Sequence, residues 1–418
     1  MIQSISQDDV LRPAVPADRS FKGRLTAWGI EHIDMIFCIL RNVWPIPSFG
    51  KYAMVTRADD VREVMSLSEV FVNPYNEKLD VIMGGHPFFL GMTQTEAYTR
   101  DTTNMRMVMR REDIESRLKQ ATLDVAERIV SQSAGELEVV DFVRSITFEV
   151  LCDYFGTPSP ATEDLRVWAT RLFEFQFADH SNDPSLRAEV NIYAPKLRSH
   201  IDSLIAARRQ QPLRDDVMGR CLGLQASGAP GMDDESIRTN LIGFIVGGLP
   251  QPPMVVPQAM EQLLQRPRAL ASAQNAARQG DDTTLSALVF EAMRFDPLTP
   301  GLLRNVAEDY RVARGTWRAR TIRKGTTMVA ALRSAMHDGR RVPRPEKFVA
   351  ERPAYEYMHF GYGLHTCFGI HLNNALLPLM LKPLLRRASL KRGAGFDGHL
   401  RKRGIFADRL VVTFDPFG

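Results

Sequence analysis

The sequence is poor in several features, and each shortage excludes a class of protein. It holds only four cysteines in 418 residues, Cys38, Cys152, Cys221 and Cys367, with no CxxC pair among them. Disulfide frameworks and zinc ribbons need denser, paired spacing, so a reduced chain is expected. No apolar run reaches the ~18 residues of a membrane helix, and the best stretch, Met35 to Leu40, ends at Arg41. A signal peptide needs a basic start and then an apolar core, whereas Asp8, Asp9 and Arg12 stand near the beginning. The expectation is a soluble, cytoplasmic protein without a membrane anchor. Charge of one sign is scarce: 53 Lys+Arg against 49 Asp+Glu leave +4, too small a surplus to imply nucleic acid. Internal repeats and low-complexity stretches are absent. Usage is ordinary, 44% hydrophobic and 24% charged, which excludes disordered and collagen-like chains.

What is present suits a large buried core. Length alone allows about three domains by the ~150-residue rule. A chain of this size can bury about three quarters of its unfolded surface, which leaves room for an enclosed cofactor. Apolar residues recur at three- and four-residue intervals over about 105–135 and 160–210, predicting helices. Residues 51–72 read as a strand, a turn at Asp59-Asp60 and a helix, and residues 136–142 as a short connection. Residues 226–234 form a loop whose Asp233-Asp234 starts the next helix. Residues 283–295 predict a capped helix stopped by Asp296-Pro297. Strands and hairpins follow over 305–332, and another helix over 368–387. About the first 45 residues read as irregular, and nothing resembles an interdomain linker. The fold class is mainly α with small β-sheets.

The informative stretch is Phe360-Gly-Tyr-Gly-Leu-His-Thr-Cys-Phe-Gly369. Glycines at 361, 363 and 369 let the backbone bend sharply and approach a flat ligand. A cysteine just before a helix feels the positive end of the helix dipole, which stabilises its thiolate. Such a thiolate can ligate haem iron and favour O–O cleavage, with His365 placed to reach a propionate as a cation or a donor. Two plainer readings compete. His359, His365, Cys367 and His371 could form a metal cluster, but their spacing fits no common zinc pattern. A buried inert thiol is the usual fate of a lone cysteine, and the flanking glycines and aromatic residues argue against it.

The segment resembles the haem-binding signature of the cytochrome P450 family, F-x-x-G-x-x-x-C-x-G, at Phe360, Gly363, Cys367 and Gly369. The resemblance implies one triangular-prism domain over residues 1–418 enclosing haem b, with Cys367 as axial ligand and Phe360, Gly361, His365 and Gly369 around it. Three cysteines are then left as packing thiols. The family's buried Glu-x-x-Arg pair is matched at Glu291/Arg294, one of four such spacings in the chain, and Arg352 fits its third member. A buried triad of this kind is tolerable only if fully paired. Arg304 corresponds to a family arginine that binds a propionate. On the helix that usually offers a His or Trp and an Arg four residues later, Tyr98 falls near the first position and Thr102 on the second, so Arg106 or Arg110 must substitute. Prolines 378 and 383 interrupt the helix after the cysteine, at about 3 kcal/mol each unless a kink is tolerated.

The largest departure lies where the family carries Ala/Gly-Gly-x-Asp/Glu-Thr, an acid and an alcohol that guide protons during dioxygen activation. The matching stretch is Gly247-Gly248-Leu249-Pro250-Gln251-Pro252-Pro253: proline at the acid position, an amide at the alcohol position, and prolines that break the helix. Gly247, Gly248 and Gln251 are the candidate catalytic positions. Three readings follow. Peroxide or hydroperoxide is used instead of dioxygen, as in the family's peroxygenase and isomerase branches. Alternatively, an atypical monooxygenase is fed by ferredoxin and a reductase, or a haem protein only binds. Phe88, Phe89, Leu249, Thr299, Leu302 and Phe406 are the candidate pocket residues, with Phe173, Phe175 and Phe177 in the region of its roof. A small apolar substrate, lipid or terpenoid-like, suits them, although aromatic residues at helical spacing are more often core. The basic run Arg314, Arg318, Arg320, Arg323 and Lys324 reads as a solvated hairpin face, with docking of an acidic redox partner as its alternative.

Overall fold

The computed structural model describes residues 28–29, 31–179, 181–212 and 214–416. They group into two compact units. One is built from residues 75–289 and the stretch from 371 on, and the other from the stretch up to 74 and residues 290–370.

The second of these units carries most of the sheet structure. Its five-stranded sheet runs in the order Ser48–Phe49, Tyr52–Val55, Thr327–Ala330, Leu302–Val306, Phe71–Val72. All pairs are antiparallel except Tyr52–Val55 with Thr327–Ala330, which is parallel and brings together segments more than 270 residues apart. The separate hairpin Tyr310–Val312 with Arg320–Ile322 falls within the strand-rich region expected from sequence. Val55, Val61, Val64, Phe71, Met328 and Met336 are among the apolar residues that close this core.

Two local expectations need correction here. Asp59 and Asp60 do not form a turn; they lie in the first turn of the helix Ala58–Ser66. Acidic side chains there complement the helix dipole, and each also meets an arginine, Asp59 with Arg341 and Asp60 with Arg318. Within the first 45 residues, Ile33–Val43 is an ordered helix, because Phe37 and Arg41 bury one side of it and Arg41 donates to the Ser334 carbonyl and hydroxyl. Residues 1–27 lie outside the described residues.

The other unit is helical. Val139–Phe155 is apolar on nearly every side, as a helix at the centre of a bundle should be. The connection expected over 136–142 is instead the strand Glu136–Glu138, paired with Val411–Thr413, running directly into this helix at Val139. Glu138 caps the helix by accepting from the amides of Val140 and Asp141. Gly156 ends it at φ 74°, and a Cβ there would meet the Asp216 carboxylate at 2.8 Å. Asp233 caps the helix Asp234–Gly248 through the Ser236 amide. The helix Ile370–Arg386 runs without a break through Pro378 and Pro383. The missing Pro378 donor leaves the carbonyl of Asn374, an exposed residue that water can reach. No helix among the described residues is long and apolar enough to cross a membrane.

Candidate haem-thiolate site

The cysteine loop is shaped by its own backbone. The Cys367 amide donates to the Phe360 carbonyl at 2.8 Å, and the Ile370 amide to the Cys367 carbonyl at 3.1 Å, so Cys367 is fixed at the mouth of the helix Ile370–Arg386. Gly361 and Gly363 take φ of 77° and 75°. At Gly363 the reason is also contact: a Cβ would stand 2.5 Å from the Met65 carbonyl oxygen. Neither Met65 nor its helix carried a sequence signal for this role. Gly361 faces Leu302, whose methyl would lie 3.8 Å from an added Cβ. Thr299 turns its hydroxyl back to the Gly301 carbonyl at 2.8 Å.

Among the four thiols, burial pushes Cys152 and Cys221 up to about 12, so both stay protonated. Cys38 is exposed rather than packed, because it lies on the outer side of its helix. Cys367 is half-buried. Leu364, Phe368 and Ile370 around it are half-buried too, an apolar rim that a flat hydrophobic ring suits. In the same unit Arg304 is buried, its Nη1 donating to the Leu303 carbonyl. Burial, and then the Arg304 charge, bring His365 down to about 4, and a carboxylate set beside it would oppose both.

The triad residues meet in that unit. Arg294 grips Glu291 with two bonds, Nη2–Oε1 at 2.7 Å and Nε–Oε2 at 2.9 Å, and Arg352 Nε reaches Oε1 at 3.2 Å. Three further groups complete the network: the Val349 amide and the Tyr357 hydroxyl donate to Glu291, and Glu356 accepts from Arg352. Glu356 ends the single 3-10 turn Ala354–Glu356 and Tyr357 follows it, an element too short for periodicity to have pointed to them. Burial raises the Glu291 carboxyl, but the Arg294 bonds and charge outweigh it and hold the group below its usual range.

Two nearby histidines give a pH prediction. Burial first, with Arg294 adding to it, brings His337 to about 4; burial does the same to His359, whose Nε2 contacts the Phe290 carbonyl. Both are neutral when folded and gain a proton on unfolding near pH ~6.5. Stability should therefore be full above ~6.5, fall as pH drops, and stop falling from this source at about 4. Each histidine contributes up to about tenfold in the unfolding constant per pH unit. Urea midpoints at pH 7, 6 and 5 check it, and His359→Gln should flatten the dependence.

In the helical unit, the Gly247–Gln251 stretch is set apart by exposure. Gly243 is sealed by the Phe88 ring, 2.2 Å from where a Cβ would stand. Gly247 and Gly248 have nothing within 4 Å of such an atom, and with Gln251 they are half-exposed between buried neighbours. Positions 247, 248 and 251 share one helical side, and that side has open space beside it. The helix ends at Gly248 and the next, Pro252–Leu264, begins after Gln251. Pro250, Pro252 and Pro253 have no N–H to offer the carbonyls of Val246, Gly248 and Leu249. The pocket candidates Phe88, Phe89, Leu249 and Phe406 are all buried, and Phe173 contacts both Phe177 and Phe406. Phe175 lies between the Lys78 and Arg187 cations.

On the helix Glu96–Val108, Thr102 spends its hydroxyl on the Tyr98 carbonyl at 2.7 Å and offers no donor outward. Tyr98 is half-buried and Arg106 exposed. Arg106 and Arg111 lie near enough to His371, the second residue of the helix after Cys367, to add to the burial that lowers its pKa. Arg110, past the helix end, approaches Asp215 at 3.9 Å.

A family model described as cytochrome P450 matches residues 186–395, half of the chain. The chain belongs to the cytochrome P450 family. Relatives include cytochrome P450 107B1 of Saccharopolyspora erythraea, 25% identical over 70% of this chain and 67% of its own. The biotin biosynthesis cytochrome P450 of Bacillus subtilis is 23% identical over 97% and 95%. Among solved structures, P450BioI in complex with hexadec-9Z-enoic acid ligated acyl carrier protein matches with a TM-score of 0.79 at 21% identity, covering 93% of this chain and all of that one. This P450 is accordingly an oxidoreductase that carries haem on a cysteine thiolate. The residues of the cysteine's own unit fit that group: a half-buried cysteine at a helix mouth, an apolar rim around it, and a buried arginine whose charge reaches His365.

Proposed function

We propose that this P450 oxidises a small apolar substrate with a peroxide or hydroperoxide rather than with dioxygen. One observation carries the reading: the half-exposed side of the Gly247–Gln251 stretch offers an amide and two glycines, with no carboxyl or hydroxyl. Dioxygen chemistry, RH + O2 + 2H+ + 2e− giving ROH + H2O, needs delivered protons and electrons. RH + H2O2 giving ROH + H2O draws neither from outside: the peroxide's own proton moves to the leaving oxygen, a short transfer that water can carry where no relay acid stands. When bound, the haem supplies the iron and the thiolate-assisted O–O cleavage. Cys367 would hold it, with Phe360, Gly361 and Gly369 shaping the loop, Arg304 and His365 donating to propionate oxygens, and Arg106 and Tyr98 standing in for the missing pair. Gln251 would orient the oxidant through its amide. Phe88, Phe89, Leu249, Thr299, Leu302 and Phe406 would line the substrate's place, in a protein working in the cytoplasm. A lipid-like chain is the class favoured by this apolar lining.

A second reading is supported by the carbonyls of Val246, Gly248 and Leu249, which lack helical donors and can order water as a proton path. The protein is then a monooxygenase fed by ferredoxin and a reductase. Turnover decides between them. Product with hydrogen peroxide or a lipid hydroperoxide, and none with NAD(P)H, ferredoxin and reductase, is the expected result; the reverse would sink the peroxide reading. Substrate binding with silence in both would leave a haem protein that only binds. Gln251→Ala should lose about tenfold in peroxide turnover, the worth of one hydrogen bond, with haem content unchanged. An unchanged rate would leave Gln251 a structural residue.

A further inference from the structure

We propose that the helix Ile33–Val43, the hairpin after it and the basic hairpin of residues 310–324 form a docking surface for the anionic face of a lipid bilayer. All three elements lie in one compact unit. The helix reads IDMIFCILRNV, apolar almost all round, a composition that normally means burial on every side. Only Phe37 and Arg41 are buried. Met35, Ile39 and Val43, each four residues apart, make a stripe 47%, 54% and 73% exposed.

The stripe continues beyond the helix end. Trp44 meets Phe49 edge-on at 4.8 Å. Phe49 and Tyr52 are register partners in the hairpin, with relative exposures of 65% and 67%. An apolar helix stripe therefore runs into an aromatic hairpin.

Cations border this apolar strip. The Arg320 guanidinium lies 5.8 Å from the Trp44 ring centre, and Lys51 sits at the hairpin tip. The charged groups around them are largely accounted for. Arg318 is bound to Asp60, Arg323 to Asp309, Arg333 to Asp34, and Glu63 accepts from Tyr310 and the Ala313 amide. The basic run is thus not uniformly solvated, since the half-buried Arg318 is paired with the buried Asp60. Glu31 and Glu308 are the exposed acids that remain nearby in sequence. Against them Lys51, Arg311, Arg314, Arg320 and Lys324 have no carboxylate within 4.0 Å among the described residues.

Apolar side chains, a Trp and a Tyr at the boundary, and cations around it are what an interfacial segment presents to headgroups and acyl chains. A second copy on the same patch would set these cations against each other. An acidic protein would satisfy the cations and leave the apolar stripe unused. An anionic bilayer satisfies both, and the contact is peripheral because no described helix can span a membrane.

The test uses the full-length haem-loaded protein and two vesicle preparations, phosphatidylcholine alone and phosphatidylcholine mixed with phosphatidylserine. Co-sedimentation with the mixed vesicles, weakened by salt, is expected. The double variants Ile39→Asp/Val43→Asp and Arg320→Glu/Lys324→Glu should each lower the partition coefficient at least ~10-fold. Their carbon-monoxide spectra should not change, since all four side chains are exposed. A fluorophore on the exposed Cys38 of the unsubstituted chain should shift to the blue with mixed vesicles only. No co-sedimentation, or binding indifferent to both double variants, overturns the proposal. So does a concentration-dependent dimer abolished by Ile39→Asp/Val43→Asp, which would assign the patch to a second copy. Ferredoxin binding lost only in Arg320→Glu/Lys324→Glu, without vesicle binding, would assign it to an acidic protein and overturn it equally.

Discussion

Cys367→Ser should abolish the red-shifted Soret band of the reduced, carbon-monoxide-bound protein and bring turnover down to that of free haem. None of the other three thiols can take the ligand's place. The Cys152 and Cys221 thiols are held protonated by burial at about 12, and Cys38 lies on the exposed side of a helix. Serine would preserve the loop, because the bond from residue 367 to the Phe360 carbonyl is made by the backbone amide. What it removes is the thiolate and its electron donation to iron. Circular dichroism should thus stay the same while the spectrum changes. A red-shifted band that survives the substitution would mean that Cys367 is not the ligand.

Glu291→Gln should destabilise the protein by about 3–5 kcal/mol, a large loss for a single-atom change. Glu291 is fully buried and faces two guanidinium groups that are themselves buried. Glutamine keeps the shape and one acceptor oxygen but turns the other into a donor aimed at donors. It also leaves the Arg294 cation without its anion, and Arg352 with Glu356 alone. Urea unfolding followed by tryptophan fluorescence measures the loss. Haem content at equal protein concentration reports whether the damage reaches the cysteine loop. If Glu291→Gln unfolds within ~0.5 kcal/mol of the parent, the triad is not the support it looks to be.

The readable parts of this sequence were those in which a few residues have fixed chemical duties at fixed spacing. Glycines and a cysteine in the loop, an i,i+3 carboxylate and arginine in an apolar helix, and prolines where a helix should continue all carry that kind of signal. Capping acids such as Asp233 were readable for the same reason. The five-stranded sheet was not, because Tyr52–Val55 and Thr327–Ala330 are short and pair across most of the chain. Asp59 and Asp60 resemble a turn until the arginines that meet them are known. The helix Ile33–Val43 depends on Arg41 reaching Ser334, a partner no local pattern shows. Cys38 departs from the burial usual for a thiol, because its exposure is settled by tertiary packing.

The Glu291 network has a further consequence, for how part of the protein opens. Arg294 and Arg352 donate not only to carboxylates but to the carbonyls of Met336, Pro343, Arg344, Pro345 and Lys347. Those carbonyls belong to a stretch with no regular secondary structure. Its order is written in two side chains that share one anion, so its residues cannot fray one at a time as a helix end does. The stretch should behave as a single opening unit in hydrogen exchange, closed or released as a whole.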